Sequence, residues 1–216
     1  MREQISAAFT HFEYTEASSK AQNMKYLNLI TPLLVGLLCA LTALPAKANL
    51  KSELHDGQHV LLMRHADAPG FGDPAGYQLH DCSSQRNLGD KGKKQAVLIG
   101  EWLSNQGIQS AKVISSPWCR CLDTARLLNK GPVTKSDALG SFFDDMSLAK
   151  RRTQELEKLI SNQLRDNLNK PLILVTHHVN IEAFTGKVVN VGDMVLVKVD
   201  QNGRFISQQI FPSPSY

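Results

Sequence analysis

Runs of a single charge are missing from this chain. Its 24 Lys and Arg stand against 20 Asp and Glu, a formal net charge of +4, and the cations are scattered at helix-like spacing. Scatter of that kind makes solvated helix faces rather than a basic stripe, so nucleic acid is not an expected partner. No internal repeat or low-complexity block divides the stretch from Asn49 to Tyr216, which has the length of one domain with one core. Cysteine is scarce as well: Cys39, Cys82, Cys119 and Cys121 are all there are. Cys119 and Cys121 lack the two-residue spacer usual for zinc, and Arg120 between them would repel a cation. A metal site built from them with His80, Cys82 or His177 and His178 is therefore not expected.

Long apolar runs are confined to the front. Met24-Lys25-Tyr26, then Leu33 to Leu41, then Ala46-Lys47-Ala48 are the basic start, short apolar run and small-residue cut site of a secretory signal peptide. The reading has translation starting at Met24, cleavage after Ala48, and a functional domain over 49–216 that is periplasmic or secreted. Residues 1–23, polar and patternless, are read as an over-extended start. An uncleaved anchor is the other reading, because residues 27–44 reach the roughly 18 residues a bilayer needs; only then would a membrane be a partner. Pro32 and the small-residue site favour processing. In an oxidising compartment Cys82 is expected to bridge to Cys119 or to Cys121, leaving one thiol over, and spacing does not choose between them.

Within 49–216, apolar strands alternate with amphipathic helices. His59 to Arg64, Lys112 to Ser115 and Leu172 to Val175 read as strands, the last a continuous apolar run of the fully buried parallel type. Helices are predicted over 91–103, capped by Asp90 and closed by Gly107, over 117–128, over 147–168 with a stripe of Leu148, Leu156, Leu159, Ile160 and Leu164, and over 180–184 before Gly186. Met194 to Val199 and Phe205 to Ser207 flank Asp200-Gln201-Asn202-Gly203, a hairpin signal. The predicted fold class is α/β: a three-layer α/β/α sandwich with a mostly parallel central sheet and an edge hairpin.

Chemistry concentrates at three strand ends. The first strand delivers Arg64 and His65, Ser115-Ser116-Pro117-Trp118-Cys119-Arg120 follows the second, and Thr176-His177-His178 ends the third. Open α/β sheets keep their sites at the carboxyl edge, and Arg120 falls in the first turn of a helix, whose amino end favours anions. Two guanidiniums and two imidazoles there suit a phosphoryl group, whose transition state spreads charge over its equatorial oxygens.

These motifs resemble those of the histidine phosphatase superfamily, the phosphoglycerate mutase-like enzymes, over nearly all of 49–216, with Arg64-His65-Ala66 in place of the family's Arg-His-Gly. The segments Ser115 to Ala125 and Thr176 to Ile181 are similar to its small exported bacterial branch. The resemblance implies a phosphomonoester hydrolase that needs no metal or cofactor. His65 is then the nucleophile that carries a phosphohistidine, and Arg64, Arg120 and His177 are the catalytic and substrate-binding groups around it. The implied substrate is a small or envelope-linked phosphate ester. A non-catalytic phosphate-binding module and a phosphohistidine protein phosphatase are the alternatives.

The general acid is open. Asp144 and Asp145 are the candidates, and both also read as acids at the start of the 147–168 helix. Asn180 is a candidate substrate contact or a helix cap; His178 is a packing or solvent-facing group or part of the site. Arg86 is as readily structural as substrate-binding, and His55, His59 and His80 read as surface residues. Specificity is assigned to the 68–82 loop and the 131–146 segment, whose shapes the pattern does not give.

Overall fold

The computed structural model describes residues 49–166 and 170–214, so the expectations about residues 1–48 lie outside the described residues. Among those described, no helix is long and apolar enough to cross a membrane. Six strands make one sheet in the order β3-β2-β4-β1-β5-β6. They are β1 (His59–Arg64), β2 (Lys112–Ser115), β3 (Val133–Lys135), β4 (Leu172–Thr176), β5 (Met194–Val199) and β6 (Phe205–Phe211). β1 to β4 pair in parallel, whereas β5 runs antiparallel to both β1 and β6. The hairpin thus closes one edge, as the Asp200 to Gly203 turn predicts.

Helices flank both faces, which is why β1 reads as continuously apolar rather than alternating. Leu61 and Met63 point into a core with Ile99 and Leu103 of α2 (Asp90–Asn105), Cys121 and Ala125 of α3 (Cys119–Leu127), and Leu50 of the short α1 (Leu50–Glu53). Val60 and Leu62 point the other way, against Leu156 and Ile160 of α4 (Ala149–Asp166) and Ile181 and Phe184 of α5 (His178–Thr185).

Several boundaries differ from the periodicity reading. Gly89, not Asp90, is the cap residue of α2, so Asp90 lies inside the first turn, where its charge favours the amino end. α3 begins at Cys119, because Pro117 and Trp118 remain extended or bent ahead of it. Leu148 belongs to a 3-10 turn, Met146–Leu148, that precedes α4. β3 has three residues and an exposed edge, too short and too polar to show a period of two.

The register decides where the chemistry goes. Arg64 of β1 lies beside Thr176 of β4, and Val175 lies beside Ser115 of β2. Three neighbouring strands therefore end level, so His65, His177 and Ser116 follow at adjacent points. Backbone hydrogen bonds continue past the strands: His65 N–H donates to Thr176 O at 3.0 Å and Ser116 N–H to Val175 O at 2.9 Å. Gly92 lets α2 lie against the next stretch, since a Cβ there would stand 1.9 Å from the Asp67 carbonyl.

Candidate active site

The level strand ends open into a cavity of about 380 Å³ lined by Arg64, His65, Arg86, Arg120, His177 and His178, with Asp73 and Asp144 among its acidic groups. At its floor His65, Arg120 and His177 are 2%, 4% and 2% exposed. The His65 and His177 rings meet edge to face, 5.5 Å apart.

Partners assign the tautomers. The Ala66 carbonyl can only accept, so His65 Nδ1–H donates to it at 2.8 Å and the Nε2 lone pair is left facing Arg120, whose Nε donates to it at 3.3 Å. The Arg120 NH2 group can only donate, and it lies 3.5 Å from His177 Nδ1. His177 Nε2–H is therefore the donor to Ser116 Oγ, at 2.8 Å. Burial first, then the nearby guanidiniums, pushes His65 down to about 3, so the ring is neutral, with its Nε2 lone pair unprotonated, across the physiological range. Burial, then the His65 ring and Arg120, lowers His177 well below its ordinary value. The half-buried His178 is lowered mainly by desolvation and by Arg64.

Arg120 is the most constrained group. Its NH1 donates to both oxygens of Asp73, at 2.8 and 3.0 Å, in an ion pair whose side chains are 4% and 5% exposed. Asp73 also accepts from the Trp118 indole at 3.1 Å and from Arg86 N–H at 3.0 Å. One carboxylate from the Gly/Pro-rich loop thus fixes the helix start, the second arginine and the edge of the guanidinium that faces away from His65. Thr124 Oγ accepts from Ala66 N–H at 3.0 Å and donates to Arg120 O at 2.7 Å, tying α3 to the chain just past His65. The disulfide joins Cys82 to Cys119, and Cys121 stays free and buried, 3.5 Å from His177 Nε2. Burial pushes its thiol up to about 12, so it is an uncharged packing group.

Arg64 donates from NH1 to Val189 O at 2.8 Å, while its buried Nε has no protein partner and is free for an anion. Arg86 lines the cavity and also holds its loop, donating from Nε to Gly72 O at 2.8 Å and from NH1 to Ala68 O. The structural reading of this residue holds, and its place on the cavity lining leaves the substrate-contact reading open to test.

The two candidate acids separate. Asp144 lines the cavity and accepts from the Tyr77 hydroxyl at 3.2 Å. Asp145 does not line it; its carboxylate caps the 3-10 turn by accepting from Ser147 N–H at 3.0 Å. Asn180, expected as a substrate contact, also stands away from the cavity lining. Its buried Nδ2 donates to Gly140 O at 2.9 Å, which ties α5 to the 139–140 segment, while its Oδ1 has no protein partner. Neither does Asn180 cap α5, whose cap residue is His177 itself. The sequence reading missed Asp73, because nothing in a Gly/Pro loop signals a partner 47 positions downstream. Ser116 was inside a motif already singled out, and its place one residue beyond a strand end was the available signal.

Comparisons with known proteins fit this picture. A model of the histidine phosphatase superfamily, branch 1, matches residues 60–159. The mitochondrial serine/threonine-protein phosphatase Pgam5 of Drosophila ananassae is 31% identical over 80 residues, which are 37% of this chain and 25% of that protein. The Drosophila yakuba protein of that name is 29% identical over 80 residues, again 25% of its length. The chain thus spans about a quarter of the curated relatives it matches. Among solved structures, a mycobacterial glucosyl-3-phosphoglycerate phosphatase superposes with a TM-score of 0.53 at 14% identity, covering 73% of this chain and 99% of the other. A putative alpha-ribazole-5'-P phosphatase from Escherichia coli gives 0.50 at 15% identity, over 73% and 96%. These likenesses show a shared fold.

Proposed function

We propose, from the support that the family model and the structural neighbours give to placement in the histidine phosphatase superfamily, that this chain is a phosphomonoester hydrolase. We take it to work through a phosphohistidine at His65, needing no metal, on a small or envelope-linked phosphate ester. The observation that carries the reading is the neutral His65 Nε2, held by a bonded Nδ1 and facing Arg120.

A phosphate dianion entering the cavity takes the Arg120 Nε–H from His65 and the Nε–H of Arg64, which frees the imidazole lone pair. His65 Nε2 then bonds to phosphorus as the bond to the ester oxygen breaks, and that oxygen leaves with the bonding pair. Asp144, on the cavity wall, is the candidate to give the leaving oxygen its proton, and afterwards to take one from the water that cleaves the N–P bond. His177 lies where the incoming negative charge raises its proton affinity, which makes it a further donor to a phosphoryl oxygen. The domain is proposed to begin at Asn49 and to act outside the cytoplasm, where the Cys82–Cys119 bridge would persist.

Turnover of 4-nitrophenyl phosphate by residues 49–216 and by His65→Ala tests this, together with trapping of acid-labile radioactive phosphate. The substitution is expected to cost on the order of 10⁴-fold or more in kcat and to abolish labelling. Equal activity in both proteins would end the covalent mechanism. Anion binding without turnover would leave a phosphate-binding module.

A further inference from the structure

Phe71 is 88% exposed, the most exposed large hydrophobic side chain among the described residues, and it lines the cavity. An exposed apolar side chain is ordinary by itself. What sets this one apart is that its position is imposed. Gly70 and Gly72 on either side of it have φ of +94° and +66°, a conformation that favours glycine. Arg86 holds the carbonyls of Ala68 and Gly72, and Asp73 is locked into the floor by Arg120 and Trp118. The loop is pinned on both sides of the ring, so the ring is presented rather than loose.

Among the described residues its ring partner is Phe143, edge to face at 5.2 Å, which comes from the other segment assigned to specificity and also lines the cavity. Phe143 in turn packs against His178, 5.6 Å away. The cavity therefore has a cationic floor and a two-ring wall at its mouth. In-line displacement places the leaving oxygen opposite the attacking nitrogen. With His65 on the floor, the leaving group points outward, toward those rings.

We propose that Phe71 and Phe143 form a leaving-group subsite that selects phosphomonoesters in which the alcohol carries a flat ring face, aromatic or the C–H face of a sugar. This inference rests on the phosphatase reading for its chemistry but concerns a different part of the cavity. The exposed Phe71 face is the platform; Phe143 sets its angle.

The experiment compares kcat/KM for 1-naphthyl phosphate, glucose 6-phosphate and glycerol 3-phosphate in the wild type, Phe71→Ala and Phe71→Trp. Each substrate is scored as its own variant-to-wild-type ratio, so differences in leaving-group reactivity cancel. Phe71→Ala is expected to lose about 3- to 10-fold on ring-bearing esters and almost nothing on the glycerol ester, with Phe71→Trp retaining the preference. Loss on the naphthyl ester alone assigns an aromatic ring, and loss on the glucose ester alone assigns a sugar face. Ile206→Ala, 53% exposed on β6, removes a comparable surface side chain and should change no ratio. An equal change on all three esters, or no change, would overturn the subsite.

If the wild type hydrolyses none of them, the phosphatase reading fails separately, and the subsite is then read from binding. Ring phosphates should protect the folded protein against melting more than glycerol 3-phosphate does, and Phe71→Ala should remove the difference; equal protection, or none, overturns it.

Discussion

The floor and the mouth of the cavity are held by different means. His65, Ser116 and His177 sit one residue past three strands whose ends are level, so sheet hydrogen bonds place them. The mouth comes from 68–77 and 139–146, which contain no strand longer than a bridge and owe their shape to side chains such as Arg86 and Asp73. Backbone ladders position groups cooperatively and without reference to side-chain identity. The mouth depends on particular charges, so single substitutions should alter it more readily.

Asp73 breaks that division, and its replacement should have the larger structural effect. The residue belongs to the mouth loop, but its carboxylate is buried against Arg120 on the floor. Asp73→Ala leaves a guanidinium in low-dielectric surroundings without its counter-ion, and removing one partner of such a pair costs about 3–5 kcal/mol. Denaturant unfolding is expected to show that loss. Saturating vanadate should restore part of it, because an oxyanion in the cavity supplies the missing charge to Arg120. Asp73→Asn keeps an acceptor for the Trp118 indole but not the charge, so it should fall between the two. A loss indifferent to vanadate would mean that Asp73 holds the loop and not the arginine.

The disulfide is the other tie between the regions. Cys82 lies in the 3-10 turn ahead of Gln85 and Arg86, and Cys119 is the first residue of α3, 37 positions later. Closing a loop of that size stabilises by about 3–4 kcal/mol in the chain-entropy account. Cys82→Ser should cost most of that in denaturant unfolding. The loss should be accompanied by a higher KM with kcat nearly kept, because the bridge secures the side of the cavity that carries Arg86. In the reduced native protein a thiol reagent should modify Cys82, which is exposed, and spare Cys121, whose buried thiol is pushed up to about 12.

The same contrast explains what was legible in the sequence. Strand ends are readable because an apolar run stops where the sheet stops; Arg64, His65, Arg120 and His177 could therefore be placed together before any geometry was known. The hairpin was readable from the residues of its turn. The mouth was not, because Asp73, Phe71 and Phe143 lie in segments without periodicity and meet their partners across the chain. Asn180 lies three residues after His177, yet its side chain donates to Gly140 O and does not line the cavity. Choosing Cys119 over Cys121 needed the helix: two residues along α3 turn the side chain from the Cys82 loop to the buried face, beside His177.

The pH effect belongs to the floor and sharpens the comparison from its side. His65 and His177 are buried neutral rings, and burial is the first cause of the lowering in both. In the unfolded chain each takes up a proton near its ordinary value of 6.5, whereas folded His65 does so only at about 3. Between these values the unfolded state binds more protons, so stability is complete above about pH 6.5 and declines as the pH falls toward 3. Each fully buried ring contributes a slope of about 1.4 kcal/mol per pH unit in that window. Unfolding free energies measured from pH 7 to 4 should therefore fall less steeply in His65→Gln than in the wild type, by close to one proton. An unchanged slope would show that His65 protonates as readily when folded as when unfolded, and the dry, sheet-held floor on which its nucleophilicity depends would have to be given up.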